Sequence, residues 1–140
     1  MKILHTVLFS LSLLLAASAT YAQQTKVKVD VPFSFYAGDR IYPAGEYLLS
    51  STSINSSVLR IDGDPEVQSA FLPSIACAAL EPSGQTKLVF HRVGSSYFLS
   101  QVWVEGNSRG REFPRTRTQT LLARNGEQPE TTIIAARLVR

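Results

Sequence analysis

Apolar and polar side chains alternate strictly near the start of the chain. In KVKVDVPFSF, residues 26–35, Val and Phe occupy every second position, while Lys, Asp and Ser fill most of the others. A period of two places the two sets on opposite faces of a strand. The stretch therefore predicts a half-buried strand. Pro32 predicts an edge position or a bulge, because proline has no N–H to donate.

Short strand-like runs separated by turn signals continue along the chain. The sequences YPAG (42–45) and EPSG (81–84) predict turns through their Pro and Gly spacing. Two runs on either side of residues 54–56 predict a hairpin. The apolar stretch at residues 67–80 predicts one long strand, or two strands broken at Pro73.

The C-terminal third is less regular. EGNSRGREFP (105–114) predicts a loop from its Gly, Asn and Ser content. RTRTQTLLARNG (115–126) fits either a short helix that stops at Asn125-Gly126 or a strand. Counting the closing strand, we expect an all-β chain of seven or eight strands, with at most one short helix near 115–124. Such a pattern is typical of a single antiparallel β-sandwich or a small barrel.

The N-terminus has the pattern of a signal peptide. Lys2 precedes an uncharged apolar run, residues 3–19, and small residues end it near Ala22. The rival interpretation is a membrane anchor, for which the run is only marginally long enough. We expect residues 1–22 to be a cleaved signal peptide and 23–140 a single domain, exported to the periplasm or secreted. After cleavage, no transmembrane span is expected.

The net charge of the chain argues against nucleic acid as a partner and says little about other partners. Fourteen Lys and Arg against eleven Asp and Glu give a formal net charge of +3. This excess is small, and aromatic residues are not interleaved with the basic ones as in nucleic-acid-binding surfaces. The lone Cys77 cannot form an internal disulfide.

Three motifs occur in a fixed order: VPFSFYAGDRIYPAGEY (31–47), KLVFHRVGSSYFLSQVW (87–103) and GREFP (110–114). Together they resemble a family of small exported bacterial proteins, known mainly as hypothetical sequences from soil bacteria. The resemblance implies a helix over 115–124, although this chain departs from the pattern with three threonines there. It implies no activity and no catalytic residue.

The stretch at 87–103 predicts a central hairpin around Gly94-Ser95. A two-residue turn pairs Phe90 with Leu99, His91 with Phe98 and Arg92 with Tyr97. The Arg92–Tyr97 pair predicts a cation–π contact. Continuing the register places Leu88, Phe90, Leu99 and Trp103 on one face, and Val89, His91, Val93, Phe98 and Val102 on the other.

Candidate catalytic chemistry is sparse. His91 is the only His beyond the predicted signal peptide, and no nucleophile motif accompanies it. The EPSG turn would place Cys77 opposite about residue 89, near His91. One His and one Cys cannot supply a zinc site without several carboxylates. Asp62, Asp64 and Glu66 have a spacing that calcium could use, but Pro65 and the missing later ligands weaken the match and a turn accounts for them better. We expect no metal and no cofactor.

The clearest polar concentration is basic. Arg109, Arg111, Arg115 and Arg117 fall within the predicted loop and the residues after it. Guanidinium groups bind phosphates and carboxylates through paired hydrogen bonds. The arginines therefore indicate an anionic partner, such as an envelope polymer, or else a solvated loop that protects a sheet edge.

These features favour a non-enzymatic exported β-domain that binds an anionic envelope polymer or another envelope protein, or has a structural role in the envelope. One alternative is a lipocalin-like carrier, which requires a cavity of a few hundred Å³ lined by Phe and Tyr. A further alternative is an exported hydrolase that uses His91.

Overall fold

The computed structural model describes residues 1, 3, 24–51 and 57–139. Apart from residues 1 and 3, the predicted signal peptide lies outside the described residues, as does the turn predicted at 54–56. Within these ranges the chain forms twelve strands and the short helix α1, in this order: β1 (Lys26–Val31), β2 (Phe35–Ala37), β3 (Arg40–Tyr42), β4 (Gly45–Ser51), β5 (Val58–Asp62), β6 (Ala70–Pro73), β7 (Ile75–Ala78), β8 (Lys87–Val93), β9 (Ser96–Trp103), β10 (Arg109–Glu112), α1 (Arg117–Arg124), β11 (Glu130–Ala135) and β12 (Arg137–Val139).

The strands form two sheets packed as a sandwich. The five-stranded sheet has the order β12-β1-β4-β5-β6. The seven-stranded sheet has the order β11-β8-β9-β10-β7, with β2 beside β9 and β3 beside β2. The all-β prediction is confirmed. The sheets do not close into a barrel, so the sandwich is the correct alternative of the two.

The chain passes between the sheets on both sides of the sandwich. On one side it passes from β6 to β7 at Ser74, and on the other from β11 to β12 at Ala136. The break predicted at Pro73 is therefore confirmed as two strands. At each crossing, one continuous apolar stretch of sequence forms two strands, one in each sheet. The described residues therefore contain more strands than the seven or eight predicted.

Strand β1 shows the predicted alternation, because Val27, Val29 and Val31 are buried while the residues between them are more exposed. The strand ends before Pro32 instead of continuing to residue 35. In the described part of the chain, β12 pairs with residues 26–28 of β1, whereas residues 29–31, next to Pro32, pair with β4 alone. The end of β1 that Pro32 follows therefore has the expected edge position. After Pro32 the chain crosses to the other sheet, where β2 runs parallel to β9.

The β8–β9 hairpin has the predicted register near its turn. Phe90 pairs with Leu99, His91 with Phe98 and Arg92 with Tyr97. The register then shifts, because Val89 pairs with Gln101, which leaves Ser100 as an extra residue on β9.

This bulge reverses the faces beyond it. Val102 lies opposite Leu88, whereas Trp103 lies opposite Lys87. The prediction that Trp103 shares the face of Phe90 and Val102 the face of His91 is therefore wrong.

The main core fills the space between the sheets. Its buried residues come from both inner faces and include Val27, Val29, Val31, Phe35, Tyr47, Leu49, Leu59, Ile61, Leu88, Phe90, Leu99 and Val102. On the outer face of the seven-stranded sheet, Val89, Val93 and Phe98 are also buried. Helix α1 packs against β8. Both faces of the hairpin are thus covered, as predicted.

Helix α1 resolves the ambiguity of residues 115–126. Thr116 precedes it, and the Thr116 side chain accepts a hydrogen bond from the backbone N–H of Gln119 at 3.1 Å. This is an ordinary N-cap, which satisfies a donor that the helix itself leaves unpaired. Asn125 ends the helix and Gly126 follows with φ +86°. The predicted helix and its stop signal are confirmed.

Candidate functional site

A cavity of about 610 Å³ opens between the two sheets at one end of the sandwich. Its lining residues come from β1, β4 and β5 on one side and from β7, β9 and β10 on the other. They are Thr25, Val27, Leu49, Ser51, Leu59, Ala76, Val102, Val104, Asn107, Arg109, Gly110 and Arg111. The volume lies within the range of about 300–1,000 Å³ that is usual for small-molecule sites.

The lining changes from apolar to cationic between the interior and the rim. Val27, Leu49, Leu59 and Val102 are buried and form the inner walls. Thr25, Ala76, Asn107 and Arg109 are exposed at the mouth, and Arg111 is half-buried. The lining therefore combines an apolar surface on its inner side with positive charge at its entrance.

Strand β10 places Arg109 and Arg111 at this mouth. Alternate residues of a strand share one face, and Arg111 lies opposite Val102, which belongs to the inter-sheet core. Both arginines line the cavity. The prediction of a loop at 109–112 is wrong because β10 pairs with both β9 and β7.

The charge at the mouth has a single sign. Among the described lining residues, the charged side chains are Arg109 and Arg111, and none is acidic. Asn107 fixes the backbone at the start of β10, since its Oδ1 accepts a hydrogen bond from the backbone N–H of Arg109 at 2.9 Å. An anion that enters the cavity would meet the positive charge of Arg109 and Arg111.

A closed, dry void of this volume would be very costly. At about 24 cal/mol per Å³, the penalty would be on the order of 15 kcal/mol. That value lies at the upper end of the total stability of a typical domain, which is about 5–15 kcal/mol. The space between the sheets is partly open to solvent, so it does not carry this penalty.

The four predicted arginines do not form one patch. Arg109 and Arg111 line the cavity. Arg115 lies close enough to His91 for its charge to lower the pKa of His91, which is on the outer face of the same sheet. Arg117 is the exposed first residue of α1. Of the four, the structure brings only the first pair together at the cavity.

His91 is half-buried on the outer face, where its Nε2 lies 3.4 Å from the Oγ of Ser100. Burial lowers the pKa of His91, and the positive charge of Arg115 lowers it further, against a smaller opposing effect of Glu112. Both effects favour the neutral form of the imidazole. Because Ser100 is only 6% exposed, a substrate has no direct approach to its hydroxyl.

Cys77 and Asp62 occupy structural positions. Cys77 pairs with Gly110 on β10, so the predicted placement opposite residue 89 is wrong. Burial raises the pKa of the Cys77 thiol, with a further contribution from the charge of Glu112. Asp62 accepts a hydrogen bond from Arg60 Nε at 2.9 Å. In the described part of the chain, no three His, Cys, Asp or Glu residues cluster in a way that could hold a metal ion.

Sequence reasoning missed the apolar part of the site. Alternation identified Val27 as inward-facing but could not show that the sheets separate at that end. The signal that could have located the arginines is the sequence Arg-Gly-Arg, whose period of two places both arginines on one face of a strand. The lipocalin-like alternative required a lining of Phe and Tyr, and neither is present among the described lining residues. The core aromatics contact one another instead; Phe35, for example, packs against Tyr42, Tyr47 and Phe90.

Among the described residues, no helix combines the length and the apolar character needed to cross a membrane. No family model, no curated protein and no solved structure matches the chain at a significant level. The cavity and its residues are therefore the features that bear on function.

Proposed function

We propose that this protein is an exported, non-enzymatic binding protein that holds an anionic amphiphile in the cavity between its two sheets. The apolar part of the ligand would lie against Val27, Leu49 and Val102, and its charged head against Arg109 and Arg111. The observation that supports this proposal most strongly is that the described lining of one cavity combines buried aliphatic side chains with two arginines at its mouth.

Export is part of the proposal because residues 1–22 have the charge and hydropathy pattern of a signal peptide. The resemblance to small exported bacterial proteins agrees with this location. In the periplasm or outside the cell, anionic amphiphiles and envelope polymers with apolar substituents are natural ligands for such a cavity. A chain that starts at Gln23 after secretion would support the location.

The binding role is favoured over hydrolysis. A hydrolase that used His91 would need a nucleophile or water that the substrate can reach. The hydroxyl closest to the imidazole belongs to buried Ser100. His91 also lies on the outer face of the sheet, away from the inter-sheet cavity, as its pairing with Phe98 shows.

A blocking variant tests the proposal. Ala76 lines the cavity and is exposed at its mouth, so Ala76→Trp should fill the entrance without removing a core contact. Ile75 precedes it on the same strand with opposite parity and is 59% exposed, so Ile75→Trp is a matched control. The probe is a dansyl-labelled undecanoic acid, whose fluorescence increases in an apolar site.

The unaltered protein should bind the probe saturably. Ala76→Trp should weaken binding by about tenfold or more, whereas Ile75→Trp should leave it unchanged. Absence of saturable binding, or equal effects of the two tryptophans, would overturn the proposal.

A further inference from the structure

We infer that two copies of this chain associate through strand β7, whose open edge pairs antiparallel with the same edge of a second copy, with Cys77 on the twofold axis. Three properties of the strand support this, independently of the proposed function. They are its open edge, the absence of charge around it and the direction of its backbone hydrogen bonds.

Strand β7 ends the seven-stranded sheet. In the described part of the chain it pairs with β10 on one side and with no strand on the other. An open edge presents a row of backbone N–H and C=O groups that can pair with a strand of another chain. The side chains leave room for such a strand, because Ala76 and Ala78 are small and exposed, and Ile75 is 59% exposed.

The other open edges of the described sheets carry residues that usually prevent such pairing. Strand β3 begins with Arg40, β11 with Glu130 and β12 with Arg137, and β6 ends at Pro73. Strand β7 has neither charge nor proline, and residues 67–80 around it contain no charged side chain. Since the chain has a formal net charge of +3, a second copy meets little charge repulsion along this segment.

The hydrogen bonds at the end of β7 show which of its backbone groups face outward. The N–H of Ala79 donates to the carbonyl of Ser108 at 2.8 Å, in a pair that continues the register with β10. Hydrogen-bonded and non-hydrogen-bonded pairs alternate along an antiparallel ladder. The N–H of Cys77, two residues earlier, therefore points toward β10 as well. Ala76 and Ala78 direct their N–H and C=O groups toward the open edge.

One antiparallel register pairs both outward-facing residues of each copy. It places Ala76 of either copy opposite Ala78 of the other, so that Cys77 lies opposite itself. A register with Ala76 opposite itself would place Ala78 opposite Ser74, whose N–H already donates within its own chain at 2.6 Å. A register with Ala78 opposite itself would place Ala76 opposite Leu80, beyond the end of β7. The favoured contact is symmetric and closed, so it yields a dimer.

This register brings the two Cys77 residues within disulfide range. They form a non-hydrogen-bonded pair across the axis, with Cα atoms about 4.5 Å apart, and disulfides span Cα separations of about 4.4–6.8 Å. Ile75 lies opposite Ala79 of the second copy, so a large exposed side chain meets a small one. The thiol of Cys77, which is half-buried in the single chain, can therefore report the pairing.

The oligomeric state of the mature chain, residues 23–140, provides the first test. Analytical ultracentrifugation in the presence of a reductant should show a dimer whose population increases with protein concentration. Ala78→Pro removes an outward N–H without removing a bond to β10, and it should raise the dissociation constant of the dimer at least about tenfold.

Thr131→Pro is the matched control at the open edge of β11. There the N–H of Ala136 donates to the carbonyl of Thr86 at 2.9 Å, in the register of β11 with β8, so the alternation directs the N–H of Thr131 outward. This variant should leave the association unchanged. Circular dichroism establishes that both proline variants are folded.

Disulfide cross-linking tests the register without the proline variants. With oxidised glutathione, two Cys77 thiols become one intermolecular disulfide and the glutathione disulfide becomes two glutathione thiols. In the Cys77→Ser background, Ile75→Cys and Ala79→Cys should not cross-link alone, because each residue lies about 13 Å from its own copy. A mixture of these two variants should cross-link, since residues 75 and 79 lie opposite one another.

A monomer at every concentration would overturn the inference and would leave the edge of β7 to a strand of a different protein. Equal weakening by Ala78→Pro and Thr131→Pro would also overturn it. So would cross-linking of Ile75→Cys alone that matches the mixture. Amphiphile binding by a protein that stays monomeric would leave the proposed function standing.

Discussion

Gly110 on β10 lies directly against the indole ring of Trp103 on the neighbouring β9. A Cβ atom at position 110 would approach the ring carbons Cδ2 and Cε3 of Trp103, and the backbone oxygen of Val102, to 2.8 Å. Only glycine fits this position without displacement. The ring covers one face of β10, and the arginines on either side of Gly110 occupy the opposite face, which lines the cavity.

Gly110→Ala should therefore destabilise the protein by about 1–3 kcal/mol, as overpacking against a ring and a backbone oxygen usually does. Urea denaturation measures the change, and the fluorescence of Trp103, the single tryptophan of the chain, reports its displacement. Gly84→Ala is the control, because a Cβ at Gly84 would meet nothing within 4 Å. An unchanged denaturation midpoint and spectrum for Gly110→Ala would show that the indole is not constrained as described.

Phe90 should matter far more to stability than Arg92 beside it. Phe90 is fully buried and makes edge contacts with Phe33 at 5.1 Å and Phe35 at 5.3 Å between ring centroids. Phe90→Ala should cost about 3–5 kcal/mol. Arg92 is exposed, and its guanidinium carbon lies 5.7 Å from the centre of the Tyr97 ring. Arg92→Gln should cost about 0.5–1 kcal/mol. Chemical denaturation compares the two variants, and similar losses would contradict the assignment of Phe90 to the core.

His91 should make the protein less stable in mild acid. The pKa of His91 is lowered in the folded state, chiefly by burial, so the unfolded chain binds a proton more readily. Stability is then complete above the unfolded pKa, about 6.5, and is lost as the pH falls toward the folded value. His91→Gln should show a smaller loss of denaturation midpoint between pH 7.5 and 5.5 than the unaltered protein. Identical losses in the two proteins would exclude His91 as the source.

Thr116 should stabilise helix α1 through its side-chain oxygen. Thr116→Ala removes the acceptor of the Gln119 N–H and should cost about 0.5–2 kcal/mol. Thr116→Ser keeps the acceptor and should retain most of the stability. Thermal denaturation followed by circular dichroism provides the comparison. Equal stability of the Ala and Ser variants would contradict a capping role.

The sequence alone predicted those features that depend on local periodicity and turn chemistry. The alternation of Val27, Val29 and Val31 identified the buried face of β1, and the Gly94-Ser95 turn fixed the pairing of Arg92 with Tyr97. Side chains that alternate every two residues must face opposite sides. These predictions are correct because the features depend on residues that are close in sequence.

Other features depend on events that local patterns do not encode. The extra residue Ser100 shifts the register and exchanges the faces of Val102 and Trp103. Strand β10 resembled a loop because neither of its faces is conventionally apolar. One face lies toward the cavity, and the other includes Gly110 beneath the indole. Because β10 lacks the alternation of apolar and polar residues that usually indicates a strand, the sequence did not reveal that Arg109 and Arg111 lie on a strand at the cavity.

The most direct test of the central claim is to observe where an amphiphile binds. Nuclear magnetic resonance of the methyl-labelled protein during titration with dodecyl phosphate follows each apolar wall separately. Shifts and alkyl-chain contacts should appear at Val27, Leu49, Leu59 and Val102, all of which line the cavity. They should be absent at Val93 on the outer face and at Ile75 on the exposed surface. Perturbations confined to Ile75 and other exposed apolar residues, with the cavity methyls unchanged, would contradict a binding site between the sheets.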